Sequence, residues 1–144
     1  MMPLFLIEET IEEAALVIAD RLRRLADGAL NDPETWLRVC TRIDCRAVTY
    51  DVPGAGRGEF APYPGPTPPC LTGVIAINMA YPPDEVCRAW VHELAHAELH
   101  RWHPPQLEEA KDSWMYEGAP EDVRHRIARR VEVLILGHFG DKVV

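Results

Sequence analysis

The chain lacks C-x-x-C spacing: its four cysteines, Cys40, Cys45, Cys70 and Cys87, form neither a zinc-knuckle pattern nor a disulfide framework. With no secretory context they are read as reduced packing residues. Long apolar runs are also missing. Residues 1–7 are apolar but too short to span a bilayer, carry no basic flank and run into Glu8 and Glu9. Neither signal peptide nor membrane anchor is expected, and a cytoplasmic location follows. Basic patches are absent too. A net charge of −8 and a pI near 5.2, with no stripe of Lys or Arg, argue against neutralising phosphates, so no direct nucleic-acid contact is expected. There is no internal repeat and no second composition regime. At 144 residues and 47% hydrophobic, the sequence fits one domain, residues 1–144, with a sizeable core.

Periodicity predicts helices and a few strands, an α+β class with a small antiparallel sheet packed against several helices. The first helix is expected over Glu8–Asp27, with Ile11, Ala15, Ile18, Leu22 and Leu25 on its buried face and Gly28 at its stop. Glu8, Glu9, Glu12 and Glu13 near its start and Arg21, Arg23 and Arg24 near its end are explained by the helix dipole alone. Asp32 before Pro33 caps a short helix carrying Trp36 and Val39. Val48, Tyr50 and Val52 alternate as in a strand, and Thr72–Asn78 forms another. Between them the Gly/Pro-rich stretch Pro53–Pro69 reads as a connecting loop, with two alternatives: Glu59-Phe60-Ala61 as a short third strand, or the stretch as a flap near a cleft.

The chemistry is concentrated in His92-Glu93-Leu94-Ala95-His96, an H-E-x-x-H motif inside a stretch free of helix breakers from Asp84 to His103. On a helix His92 and His96 lie one turn apart, about 6 Å along the axis, so both imidazoles can converge on one ion. Glu93, on the shoulder of the pair, is placed to take a proton from an attacking water and return it to a leaving amine. Val86, Trp90, Leu94 and Ala97 form an apolar stripe that anchors the helix by a different face. The pattern points to a zinc-dependent hydrolase, with Mn2+ as the other candidate ion. His100 lies eight residues from His92, about 12 Å along the axis, too far to share the ion. His103 misses the third-histidine spacing of the metzincin motif, which falls on Trp102. Both are read as a polar rim.

A third protein ligand must come from a later segment. Glu132 is the only acid within Val131–Leu136, and a carboxylate in so apolar a run is costly unless paired or metal-bound. The segment from Pro120 reads as a helix with Val123, Ile127, Val131 and Leu134 at core spacing and Gly137 as its stop. Glu132 competes with two alternatives: a solvent-facing pair with Arg129 in place of ligation, or Glu117 as the ligand, although Gly118 and Pro120 break any helix running from Glu117 to Glu121. Tyr116 and His125 are candidates for stabilising an oxyanion.

These residues resemble the ImmA/IrrE-type metallo-endopeptidases, whose members show a G-x-I-x-I-N strand before a helix carrying H-E-L-x-H-x-x-L-H. The matching residues are Gly73-Val74-Ile75-Ala76-Ile77-Asn78, His92-Glu93-Leu94-Ala95-His96 and Leu99-His100, roughly the second half of the chain. The resemblance implies a zincin-like fold, a glutamate from a following helix as third ligand (best matched by Glu132, without the usual E-x-x-A-N continuation), and cleavage of a helix-turn-helix repressor. The acidic charge would help attract such a basic, DNA-binding protein partner. Two other expectations compete: a SprT-like DNA-associated protease, disfavoured by the missing basic patch, and an antirepressor or toxin-antitoxin module that keeps zinc without proteolysis, disfavoured by an intact Glu93 and by the four-ligand closure usual in structural sites.

Overall fold

The computed structural model describes residues 4–62, 72–101 and 120–137, with side chains from residue 8 onward in the first segment and from residue 123 in the last. Chain order is α1 (Leu4–Leu25), α2 (Pro33–Arg42), β1 (Cys45–Tyr50), β2 (Gly58–Pro62), β3 (Gly73–Asn78), α3 (Pro83–Arg101) and α4 (Pro120–Leu136). The α+β class is as expected. The sheet is not antiparallel throughout: its order is β1-β3-β2, with β1 parallel and β2 antiparallel to β3. The physical reason lies in β3. Gly73, Ile75, Ile77 and Asn78 are all buried, so this strand takes the shielded centre and β1 and β2 flank it. The strand at Thr72–Asn78 is therefore no sheet edge. The Glu59-Phe60-Ala61 segment, favoured as loop, is the middle of β2.

α1 starts at Leu4, so Glu8 and Glu12 lie beyond its first turn, and the dipole does not account for them. They pair with α4 instead. Arg126 holds Glu8, and the Arg130 guanidinium donates to both carboxylate oxygens of Glu12 at 2.8 and 3.1 Å. Ile11, Ala14, Ala15, Ile18, Ala19 and Leu22 form the buried face of α1. α2 follows its sequence signals: Asp32 accepts from the Glu34 N–H at 3.0 Å, Pro33 opens the first turn, and Trp36 and Val39 are buried. In β1 the inward positions are Cys45 and Ala47, whereas Val48 is exposed. Cys40, Cys45 and Cys87 are buried thiols, in keeping with packing; Cys70 lies outside the described residues. α4 ends at Gly137, whose φ of +80° and N–H bond to the Val133 carbonyl at 2.9 Å close the helix as a glycine can and a β-carbon residue resists.

One core cluster joins the four helices to β1 and β3, with Trp36, Trp90, Ile75, Ile77, Leu94 and Ile127 among its members, and Phe60 of β2 packs against it. A buried asparagine fixes the loop leading into β2. The Asn78 amide donates to the Val52 and Gly56 carbonyls at 2.8 and 3.1 Å, and its oxygen accepts from the N–H groups of Val52 and Ala80 at 3.1 and 3.0 Å. All four hydrogen bonds open to the side chain are made. Asn78→Ala strips partners from four backbone groups, so a loss of about 1–3 kcal/mol is expected in urea denaturation. Asn78→Asp, which replaces both amide N–H donors with an acceptor oxygen, should fail to recover it.

Candidate metal centre

α3 presents Arg88, His92 and His96 at successive turns because Val86, Trp90, Leu94 and Ala97 lock its opposite side into the core. α4 presents His125, Arg129 and Glu132 at spacings of four and three. The contacts run in opposite senses along the two helices: Arg88 reaches the Gly137 carbonyl at 2.7 Å, and His92 meets both Glu132 and His125. The helices are antiparallel neighbours, and the two rows of side chains face each other.

Three ring nitrogens converge. His92 Nε2 is 3.2 Å from His96 Nε2 and 3.1 Å from His125 Nδ1, and all three donor atoms lie within 4.8 Å of one another. Nitrogen donors about 2.0–2.1 Å from one tetrahedral ion stand about 3.3–3.4 Å apart, so the separations suit a shared metal. Glu132 is elsewhere: its Oε2 is 2.7 Å from His92 Nδ1, on the opposite side of that ring. A carboxylate accepts, so Nδ1 carries the proton, and the Nε2 lone pair is turned towards His96 and His125. No Glu132–Arg129 ion pair occurs among the described residues. The geometry gives the converging position to His125, expected as an oxyanion stabiliser, and sets Glu132, expected as third ligand, behind His92. Tyr116 and Glu117 lie outside the described residues, as does His103. His100 is exposed near Phe60 and is not part of the cluster.

Electrostatics agree with lone pairs being available. Burial, followed by the fields of His92, His125 and Arg124, lowers the His96 pKa from 6.5 to about 4, which leaves a neutral imidazole at pH 7. Glu93 is raised from the ordinary glutamate value, chiefly by burial; His92 opposes the rise, while Glu132 and Glu59 add to it. A carboxylate with a raised pKa is a better proton acceptor than a solvated one. Its neighbour across the cleft is β2. At Gly58 an added β-carbon would stand 2.8 Å from Ile77 Cδ1, 2.9 Å from the Ala76 carbonyl oxygen and 3.6 Å from Glu93 Cγ. Only glycine lets this strand approach so closely. The cleft between β2, α3 and α4 measures about 530 Å3 and is open to solvent.

The donor set fits a divalent ion: three imidazoles, one with its proton drawn to the far nitrogen and one held neutral, beside an accessible cleft. His125 had a signal in the sequence. His125-Arg126-Ile127-Ala128 has the E-x-x-A spacing sought in this helix, with imidazole in place of carboxylate. No known protein family, curated protein or solved structure matches this chain.

Two outcomes are expected. His125→Ala should weaken zinc binding well beyond the roughly 10–100-fold loss expected for Glu132→Ala, as read by chelator competition, because the first removes a donor and the second only its neighbour's orientation. In chelator, the unfolded His96 takes a proton near pH 6.5 and the folded one only near 4, so the unfolded state binds more protons between these values. Stability from this residue is complete above pH 6.5 and is lost as pH falls towards 4. Denaturation of His96→Gln compared with the parent across that window should show the difference.

Proposed function

We propose that the chain is a metal-dependent endopeptidase of zincin-like architecture that cuts a protein partner. The observation carrying this reading is the convergence of His92, His96 and His125 beside Glu93 in an open cleft. His92, His96 and His125 would hold the ion, zinc by the chemistry of an all-imidazole donor set, with manganese as the other candidate. When bound, a divalent ion supplies Lewis-acid polarisation of a substrate carbonyl and makes water more acidic. Glu93 accepts one proton from the attacking water, whose oxygen bonds to the carbonyl carbon. As the C–N bond breaks, Glu93 returns that proton to the departing nitrogen and the second water proton stays on the new carboxyl group, so one water is consumed and a carboxylic acid and an amine are released. Glu132 holds the His92 ring in the tautomer the site requires.

The resemblance to ImmA/IrrE-type metallo-endopeptidases rests on the motif residues already quoted, and from it the proposed substrate is a helix-turn-helix repressor. A cytoplasmic setting belongs to the same proposal; no helix among the described residues is long and apolar enough to cross a membrane. A non-proteolytic zinc module is the competing class. Three convergent protein donors and an accessible cleft favour catalysis over a closed structural site.

Glu93→Gln decides between them. The amide keeps the size of the side chain and removes the base, so zinc affinity should stay within a few-fold while cleavage of candidate repressors falls by about 100-fold or more. A Glu93→Gln protein that silences a repressor as well as the parent would replace the peptidase with a binding module.

A further inference from the structure

The cleft does not share the charge of the chain. The sequence is net −8, yet Arg57, Arg88 and Arg129 line the same space as His92, His125 and Glu132. Two of the three arginines are engaged. Arg57 donates to Glu85 at 2.8 Å and lies 5.5 Å from the centre of the Tyr81 ring, and Arg88 is drawn to the Gly137 carbonyl at 2.7 Å. Two acids line the same cleft, Glu132, which accepts from His92, and Glu93. Arg129 differs. It is exposed, lines the cleft, and makes no ion pair or hydrogen bond among the described residues.

Its position gives that charge a use. Arg129 follows His125 by four residues on α4, so it projects from the same face one turn further on, about 6 Å along the helix axis. Consecutive Cα atoms of an extended peptide are about 3.8 Å apart, which puts a group held by Arg129 one or two residues from a bond held beside the three histidines. A planar guanidinium, which Arg129 holds unpaired among the described residues, matches a carboxylate in two parallel hydrogen bonds.

We infer that Arg129 is a specificity residue that binds a substrate carboxylate one or two residues from the scissile bond. This rests on the peptidase reading and adds a chemical requirement to it: the cut segment carries an acidic group even where the partner as a whole is basic. The carboxylate has two sources, an internal Asp or Glu side chain or the free C-terminus of a chain. The first belongs to an endopeptidase with acidic preference, the second to trimming from the end.

The test uses zinc-loaded Glu93→Gln protein and synthetic peptides in matched pairs: Asp or Glu against Asn or Gln within a C-terminally amidated sequence, and free against amidated C-termini on a neutral sequence. Binding is read by calorimetry and cleavage sites are mapped with the parent enzyme. One carboxylate pair should show tighter binding of the acid by at least about tenfold, and Arg129→Gln in the same background should abolish that difference. Arg129→Glu should reverse it towards lysine-containing peptides. Which pair responds identifies the source. Equal binding of acid and amide in both pairs, a preference that survives Arg129→Gln, or no binding by any carboxylate peptide overturns the inference. The two readings fail separately. Cleavage by the parent without acidic preference removes the carboxylate site and leaves the peptidase, whereas Arg129-dependent carboxylate binding without cleavage of any peptide removes the peptidase and leaves the site.

Discussion

Three imidazoles that bring His92 Nε2 to 3.2 Å from His96 Nε2 and 3.1 Å from His125 Nδ1 can coexist only if they are not all protonated. Two unit charges at about 3 Å repel by about 5 kcal/mol at an effective dielectric near 20, and a third would add to that. Burial, with the fields of His92, His125 and Arg124, keeps His96 neutral, and the Glu132 carboxylate draws the ring proton of His92 to Nδ1, which turns the Nε2 lone pair inward. The rest of the structure serves that crowding. Trp90 and Leu94 clamp α3 from behind, and Ile127 and Val131 do the same for α4, so neither helix can rotate its histidines apart without exposing core.

Glu93 illustrates how the sheet enters the site. β2 approaches it because Gly58 has no side chain, and β2 is held there by its pairing to β3 and by the Asn78 hydrogen bonds that fix the preceding loop. A polar residue in the core thus sets the position of a strand whose backbone faces the cleft. The G-x-I-x-I-N run reads in this light as a physical unit: Ile75 and Ile77 bury the strand, Gly73 passes close to Ala61 and Pro62, and Asn78 anchors what lies beyond.

Much of this was legible from residue patterns. The helical spacing of Val86, Trp90, Leu94 and Ala97 located α3 and oriented His92 and His96, and Asp32-Pro33 and Gly137 marked helix ends through local chemistry that needs no tertiary context. Strand order was not legible, because pairing β1 to β3 depends on residues about thirty positions apart and on which strand is apolar on its covered side. The positions of Glu132, behind His92, and of His125, in the histidine cluster, were not legible for a related reason. An acid in an apolar run does signal a partner, but the run alone cannot say whether the partner is an ion or the back of an imidazole. The acids of α1 misled similarly: their partners, Arg126 and Arg130, lie 118 residues away.

That last separation bears on when the site comes into being. α4 is the final described element to leave the ribosome, and it contributes His125 and covers the apolar face of α1, the first. Until it arrives, α3 displays two histidines and a glutamate without the third nitrogen, and α1 lacks its main helical neighbour. The three-histidine cluster therefore forms only as the two ends of the described chain close on each other.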